Sequence, residues 1–392
     1  MREFLEGSRA VAEAVRLSKP AVISAYPITP QTHIVEELAQ LVADGALNSQ
    51  FVNVESEHSA ASVVLGAVAT GVRVYTATSS QGLLYMGEVI FNIAGMRLPV
   101  IMTCANRSVS APINIWNDQQ DSISLRDAGW IQFYLEDNQE VVDFHFMAYR
   151  LGEDKTVMLP VMVCMDGFIL THGIETIDIP TQEQVDKFLP QYNPAFKLDV
   201  NNPVTLGPLA DPDYYMETRY AIEETHKNVL KLIPKITQDF SRIFGRTYNG
   251  LIEEYRTKDA ERVIVAMGSV CGTVKEVVDE LRSKGKKVGL LKIICYRPLP
   301  VKEIYEALKG VPKVGVLDKA LSLGSFAPLS AEIKAIFFGK KKQPEVINSF
   351  VMGLGGRDIT KNSIKEAFKM LTAKERCEFI DLKPELLKEN YG

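Results

Sequence analysis

The feature that most constrains the fold is an alternation of short apolar strands with helical patterns along most of the chain. Apolar residues fall three to four positions apart in 8–19 and 33–42, which predicts helices, whereas the shorter, largely apolar stretches 21–26, 72–78 and 99–105 read as strands. Because a helix separates successive strands, the strands are joined by crossovers, which give a mainly parallel sheet covered on both faces. The sequence therefore predicts an α/β fold built from doubly wound parallel sheets.

This alternation is interrupted once. Residues 175–258 contain seven prolines, and they read as an extended stretch followed by a long amphipathic helix over 221–244 with Pro234 inside it. Strand and helix patterns then return until close to the end of the chain. We expect a first domain, an extended connection carrying the long helix, and a second domain, at 1–180, 181–258 and 259–392.

Composition excludes several classes of protein. The chain has 44 basic and 49 acidic residues, a net charge of -5, and no basic stripe, so we expect no nucleic-acid partner. Acidic residues interrupt the first apolar stretch, which excludes the apolar core of a secretory signal. No apolar run approaches the roughly 20 residues that cross a bilayer. We expect a soluble, cytoplasmic chain with no membrane partner.

The cysteines predict neither a disulfide framework nor a metal site. No two lie within four residues of each other, so there is no CxxC pair for zinc or an iron–sulfur cluster. All but one lie in or beside apolar stretches, and we expect them to be small buried thiols in a reducing compartment. The five are Cys104, Cys164, Cys271, Cys295 and Cys377.

Polar segments follow the strands of the first domain, at the carboxyl ends where parallel sheets bind ligands. They are 26–30, 55–59, 78–82 and 105–108. In the first, two prolines stiffen the chain around Thr29 and could hold its hydroxyl in one orientation. On this segment alone, a turn that ends the strand is the simpler explanation.

Two charged residues stand out in these segments. Glu57 opens a helix rich in small residues, which permits close approach of a flat ligand, although an acidic first turn also simply opposes the helix dipole. Arg107 directly follows an apolar strand and could bind a planar carboxylate through two parallel hydrogen bonds. A structural salt bridge explains Arg107 equally well, and His58 is best explained as a surface or capping residue.

Nucleotide-binding motifs are missing from the sequence. There is no GxGxxG after the first strand and no GxxxxGK[ST], so nucleotide sites of those types are not indicated. The glycine-rich stretch 353–358 fits neither pattern and predicts a tight turn from a strand into a helix.

Together, several segments resemble the α subunit of the 2-oxoacid:ferredoxin oxidoreductases, most closely that of pyruvate:ferredoxin oxidoreductase. They occur in the family order and span nearly the whole chain: YPITP (26–30), SEHSAA (56–61), TSSQGLLYM (78–86), TCANRS (103–108), NDQQD (117–121), MDGF (165–168) with His172, and GLGGRD (353–358). The resemblance implies a thiamine diphosphate pyrimidine-binding domain followed by a domain like the C-terminal domain of transketolase. It also implies reversible oxidation of pyruvate with coenzyme A to acetyl-CoA, CO2 and reduced ferredoxin.

The same resemblance implies a dimerised hetero-oligomer. A β subunit would share the thiamine diphosphate and hold its diphosphate and Mg2+, while γ and δ subunits would carry [4Fe-4S] clusters that pass electrons to ferredoxin. Family enzymes hold the diphosphate through a GDG motif, whereas Met165 precedes Asp166 and Gly167 here. We therefore expect no metal in this chain.

Site residues follow from the matched motifs. Glu57 matches the glutamate that contacts N1′ of the aminopyrimidine, where a carboxylate favours the imino tautomer and so permits proton transfer from thiazolium C2. Arg107 and Thr29 match the residues that hold the carboxylate and keto group of the substrate. The remaining cofactor-binding residues implied by the motifs are Pro27, Ile28, Ser80 and Gln81.

Two alternatives stay open. The substrate could be another acid of the same family, a branched-chain 2-oxoacid, 2-oxoglutarate or oxalate, although a dicarboxylate would need a second cation that the sequence does not place. The chain could also be a non-catalytic subunit that organises an electron-transfer complex.

Overall fold

A computed structural model describes residues 2–372, 374–375 and 377–387. These residues fall into two units. The first comprises the described residues up to Leu251 together with Ile294–Pro300, and the second comprises Ile252–Ile293 together with the described residues from Val301.

Strands and helices alternate along the described chain. The strands are β1 (Arg2–Glu6), β2 (Val22–Ser24), β3 (Gln50–Val52), β4 (Val74–Thr78), β5 (Ile101–Asn106), β6 (Ile131–Tyr134), β7 (Val161–Asp166), β8 (Ile174–Asp178), β9 (Ile252–Tyr255), β10 (Arg262–Ala266), β11 (Val288–Ile293), β12 (Cys295–Arg297), β13 (Lys313–Asp318), β14 (Val346–Val351) and β15 (Cys377–Phe379). The helices are α1 (Gly7–Ser18), α2 (Thr32–Ala43), α3 (Glu57–Ala69), α4 (Ser80–Tyr85), α5 (Gly87–Gly95), α6 (Gln120–Ser124), α7 (Asn138–Gly152), α8 (Gln182–Phe188), α9 (Pro212–Phe244), α10 (Val270–Ser283), α11 (Val301–Leu308), α12 (Pro328–Phe337) and α13 (Lys361–Met370).

The first unit is built on one largely parallel sheet in the order β12-β6-β7-β5-β4-β2-β3, in which only β12 runs antiparallel among the described strands. Strands β4, β5 and β7 are buried along their whole length. Helix α1 packs on α2 and α7, and α3 packs on α4 and α5. Buried parallel strands with helices between them therefore give the predicted doubly wound fold.

The second unit repeats the plan in the order β15-β14-β13-β10-β11-β9, with β9 as the antiparallel edge in the described sheet. Buried residues of α10 and α13, such as Val274 and Ile364, pack with Ile264 of β10 in one apolar core. The glycine-rich stretch 353–358 forms the predicted turn, with Gly353 at φ 68° before a short 3-10 helix. The α/β prediction for this unit is confirmed.

The first turn of α1 is held by tertiary contacts and not by a capping side chain. Ser8 does not cap the helix, which begins one residue earlier, at Gly7. The Gly7 and Ser8 N–H groups donate to the Gly173 and Thr171 carbonyls at 3.0 and 2.9 Å, and the Ser8 hydroxyl also donates to the Thr171 carbonyl. Because tertiary contacts satisfy these free helix donors, no capping side chain is needed.

Part of the segment 181–258 is more regular than its proline content suggests. Helix α9 begins at Pro212, well before the predicted start, because the Asp211 side chain accepts from the Asp213 N–H at 3.0 Å and proline suits a first turn. The helix continues through Pro234 to Phe244. Since α8 and α9 pack on each other and on α7, most of this segment lies in the first unit.

The environment of the thiols agrees with the sequence. Cys104, Cys164, Cys271 and Cys295 are buried, Cys377 is exposed, and none of these five described cysteines forms a disulfide. Within the described residues, no helix combines the length and apolarity that crossing a membrane requires.

Candidate active site

The predicted site segments lie side by side in the first unit. They follow β2, β3, β4 and β5, which are parallel neighbours in the order β5-β4-β2-β3. Their carboxyl ends therefore share one edge of the sheet, the usual ligand-binding position of such folds.

Glu57 is the first residue of α3 and is only 8% exposed. The Ser56 side chain caps the helix by accepting from the Ser59 N–H at 3.2 Å. The carboxylate of Glu57 lies over Gly82, where an added Cβ would be 2.6 Å from Glu57 Oε1 and 2.7 Å from Thr78 Oγ1. Gly82 is thus the residue that makes room for the carboxylate.

A Gly82→Ala substitution should displace the Glu57 carboxylate. We expect a loss of activity of about 10²-fold, the scale that a misplacement of about 1 Å produces in an active site. Gly87→Ala is the matched control, because an added Cβ at Gly87 meets nothing within 4 Å. Steady-state rates and thermal unfolding of both variants provide the measurement, and a full rate in Gly82→Ala would contradict this placement of Glu57.

Arg107 is buried, 6% exposed, and its guanidinium pairs with main-chain oxygens rather than with a carboxylate. Nε donates to the Asn114 carbonyl and Nη1 to the Thr29 carbonyl, both at 2.9 Å. Within the described chain, Nη2 makes no hydrogen bond. Nη2 and the second N–H of Nη1 can therefore donate two parallel hydrogen bonds to a planar carboxylate. The structural salt bridge is therefore not the explanation of this residue.

Electrostatics at Arg107 favour an anionic ligand. Burial lowers the pKa of Arg107, and the neighbouring Asp121 carboxyl opposes this shift. A guanidinium nevertheless stays protonated at neutral pH. The result is a fixed, desolvated positive charge at the edge of the sheet.

Asp121 connects two of the site segments and was not among the predicted site residues. Its Oδ2 accepts from the backbone N–H groups of Ser80 and Arg107 at 2.9 and 3.0 Å, and its Oδ1 accepts from Asn106 Nδ2 at 2.8 Å. Burial raises the pKa of Asp121 although these hydrogen bonds act in the opposite direction. Asp121 therefore holds the backbone in position at both Ser80 and Arg107.

Ser80 and Gln81 are the first two residues of α4, directly after the turn that follows β4. Ser80 has φ 49°, a left-handed conformation that is costly for a residue with a side chain. Its hydroxyl donates to the Ser108 carbonyl, and Gln81 Nε2 donates to the Ser110 hydroxyl. Strain at this turn is thus offset by bonds to the loop that carries Arg107.

The loop 26–30 is anchored by Gln31, a second residue that the sequence did not single out. Gln31 is fully buried; its Nε2 donates to the Ala77 carbonyl at 2.8 Å, and its Oε1 accepts from the Ile28 N–H at 3.2 Å. Ile28 is half-buried, whereas Pro27 and Thr29 are exposed at the rim. The loop therefore presents Thr29 to solvent while its carbonyl holds Arg107.

These residues fit the pyrimidine half of thiamine diphosphate. A buried carboxylate at Glu57 stands beside the Thr78 hydroxyl, a buried polar group without a hydrogen-bond partner in the described structure. Such an atom calls for a polar ligand. Asp166, the aspartate of the incomplete GDG motif, has hydrogen-bond partners within the chain. It accepts from Asn117 Nδ2 at 3.1 Å and from Gln119 Nε2 at 3.5 Å.

Comparison with known proteins finds similar sequences over nearly the whole chain. Residues 13–238 match the family model for pyruvate flavodoxin/ferredoxin oxidoreductases, thiamine diphosphate-binding, and residues 260–364 match that for the pyruvate:ferredoxin oxidoreductase core domain II. The pyruvate synthase subunit PorA of Methanothermobacter thermautotrophicus is 51% identical over 98% of this chain and 99% of its own length. The ketoisovalerate oxidoreductase subunit VorA of Pyrococcus horikoshii is 43% identical over 93% of this chain and 92% of its own.

Similar solved structures support the fold. A 2-oxoglutarate:ferredoxin oxidoreductase from Magnetococcus marinus, solved with 2-oxoglutarate, coenzyme A and succinyl-CoA, superposes with a TM-score of 0.74 at 21% identity. That match covers 94% of this chain but only 65% of the larger one. A split-gene transketolase superposes with a TM-score of 0.56 at 12% identity, over 94% of this chain and 98% of that chain.

Proposed function

The chain belongs to the pyruvate flavodoxin/ferredoxin oxidoreductase family, and we propose that it is the α subunit of a pyruvate synthase. The enzyme would convert pyruvate and coenzyme A reversibly to acetyl-CoA and CO2, with ferredoxin as electron acceptor. Pyruvate is favoured over a branched-chain acid because the pyruvate synthase subunits compared are 47–51% identical, against 43% for the ketoisovalerate subunit. Residues 1–180 would form the pyrimidine-binding domain and 259–392 the transketolase C-terminal-like domain.

The observation that carries the substrate assignment is Arg107, a buried guanidinium whose Nη2 makes no hydrogen bond and which donates to no carboxylate in the described structure. The carboxylate of a 2-oxoacid would accept from Nη1 and Nη2, with the exposed Thr29 hydroxyl beside the keto group. A single cation suits a monocarboxylate such as pyruvate. Since that carboxylate leaves as CO2, Arg107 must orient the substrate without stabilising it more than the transition state.

Thiamine diphosphate, when bound, supplies the nucleophilic carbon and the electron sink of the reaction. In this chain Glu57 would bind the aminopyrimidine at N1′ and share a proton there, which is general acid–base chemistry. Pro27, Ile28, Ser80 and Gln81 would shape the wall around the ring. Gly82 would keep the Glu57 carboxylate in place, as its close contact with Glu57 Oε1 indicates.

The other half of the site would come from partner subunits. We propose that a β subunit binds the diphosphate and Mg2+, because Asp166 in this chain is engaged by Asn117 and Gln119. Subunits of γ and δ type would hold the [4Fe-4S] clusters, in a dimerised hetero-oligomer. Mostly buried cysteines that form no disulfide in the described structure fit a reducing cytoplasmic compartment.

Substrate oxidation by the natively purified complex tests this proposal. With coenzyme A and ferredoxin present, we expect a higher kcat/KM for pyruvate than for 2-oxoisovalerate, 2-oxoglutarate or oxalate. A preference for any of these three acids would overturn the assignment of pyruvate while leaving the family intact.

A further inference from the structure

Away from the active site, two histidines and a glutamate converge in the first unit. Glu6 ends β1, His33 lies in the first turn of α2, and His172 lies in the loop between β7 and β8. Each offers a ligand atom, and these three atoms all lie within 4.8 Å of one another. His33 Nδ1 is 2.7 Å from Glu6 Oε1, and the two imidazole centroids are 4.6 Å apart.

Backbone hydrogen bonds bring Glu6 and His172 together. Strands β1 and β8 pair with Glu6 opposite Ile174, and the Gly7 N–H donates to the Gly173 carbonyl at 3.0 Å. Gly7 permits this approach, because a Cβ there would lie 2.0 Å from the Leu170 carbonyl oxygen. Backbone hydrogen bonds therefore position Glu6 and His172 without any bound ligand.

The hydrogen bonding of His172 suits a metal ligand. Its Nδ1 lies 2.7 Å from Thr171 Oγ1, which accepts from the Phe168 N–H at 2.8 Å. When Nδ1 donates to this hydroxyl, Nε2 keeps its lone pair and can bind a metal ion. Metal-binding histidines usually donate their other ring N–H to a neighbouring group in this way.

We propose that Glu6, His33 and His172 bind a divalent transition-metal ion of the zinc type. Two imidazoles and a carboxylate form a donor set that selects such ions over Mg2+, and a water would complete the coordination. Bond lengths of about 2.0–2.2 Å in a tetrahedral site put ligand atoms roughly 3.3 Å apart, so Glu6 and His33 must separate slightly. Their side chains are 34% and 46% exposed, which leaves them free to do so.

Such an ion would link β1, α2 and the loop between β7 and β8 close to the candidate active site. His33 stands in the helix that follows the loop 26–30, and His172 packs on Phe168, whose ring lies 4.6 Å from that of Trp116 in the Arg107 loop. This link would therefore stabilise the surroundings of Thr29 and Arg107. It does not depend on the proposed function and involves none of the residues placed in catalysis.

Metal titration of the untagged full-length chain, stripped with chelator, tests the proposal. We expect about one Zn2+ or Co2+ per chain, visible Co2+ absorption, and a rise in the unfolding temperature on addition of Zn2+. Glu6→Gln and His172→Gln should each weaken Zn2+ binding by at least about tenfold. Far-ultraviolet circular dichroism of each variant shows that it is folded.

The matched control is His58→Gln. His58 is also a solvent-accessible histidine near a carboxylate, with Nε2 3.8 Å from Glu88, but it lies outside the cluster. Its substitution should leave Zn2+ affinity unchanged. The proposal is overturned if the wild-type chain binds no Zn2+, if Glu6→Gln and His172→Gln bind it as the wild type does, or if His58→Gln abolishes binding.

Discussion

Replacing Glu57 with glutamine is expected to lower the turnover of pyruvate by about 10²–10⁴-fold, the usual contribution of a general acid–base group. Glutamine keeps the shape of the side chain and its fit against Gly82, but it cannot exchange a proton with the aminopyrimidine. The fold should tolerate the change, because Ser56 still caps α3 through the Ser59 N–H. The measurement is the rate of coenzyme A-dependent pyruvate oxidation by the assembled complex.

Glu55→Gln is the control for this substitution. Glu55 is an exposed carboxylate two residues away that accepts from the Ser59 hydroxyl. Its loss should leave the rate unchanged. A complex carrying Glu57→Gln that retains its full rate would show that this chain is the non-catalytic, organising subunit considered from the sequence.

Substituting Arg107 with lysine should raise the KM for pyruvate by about 10- to 150-fold, with a smaller change in kcat. The charge is retained, but the fork formed by Nη1 and Nη2 is lost, and hydrogen bonds to a charged group contribute about 1.5–3 kcal/mol. Steady-state kinetics over a wide range of pyruvate concentrations measure the effect.

Arg97→Lys separates substrate binding from structural damage. Arg97 is a partly buried arginine whose side chain, like that of Arg107, donates to main-chain carbonyls, those of Val157 and Met158, and burial lowers its pKa too. This control variant should unfold at a lower temperature without any change in KM. An unchanged KM in Arg107→Lys would remove the carboxylate role from Arg107.

Much of this fold follows from local patterns. The strands β4, β5 and β7 are largely apolar and fully buried because both faces of a parallel sheet are covered. The helices show apolar residues at a spacing of three to four positions. Such signals lie within one segment and need no knowledge of the rest of the chain. They suffice for the α/β class and for the order of the elements.

What the sequence did not show depends on distant partners. The pairing of β1 with β8 joins residues far apart in the chain, and Ser8 is bonded by the Thr171 carbonyl instead of capping its helix. Strand β12 directly follows β11 yet pairs with β6 of the first unit. Local periodicity carries no signal for contacts of this kind.

The candidate site also combines residues with local sequence signals and residues that depend on distant contacts. Glu57, Thr29 and Arg107 were predicted because they follow strands and match a family motif, whereas Asp121 and Gln31 act only through hydrogen bonds to other segments. One signal for Asp121 was present, since it belongs to the matched stretch 117–121. Its function as an anchor of two backbone turns required the three-dimensional structure.

The central claim is that this chain supplies the pyrimidine and substrate-carboxylate half of a shared active site. The most direct test measures coenzyme A-dependent reduction of ferredoxin by pyruvate with this chain alone, with its co-purifying subunits alone, and with the two recombined. We predict no turnover from either part and restored activity on recombination. Full activity of the partner subunits without this chain would contradict the claim.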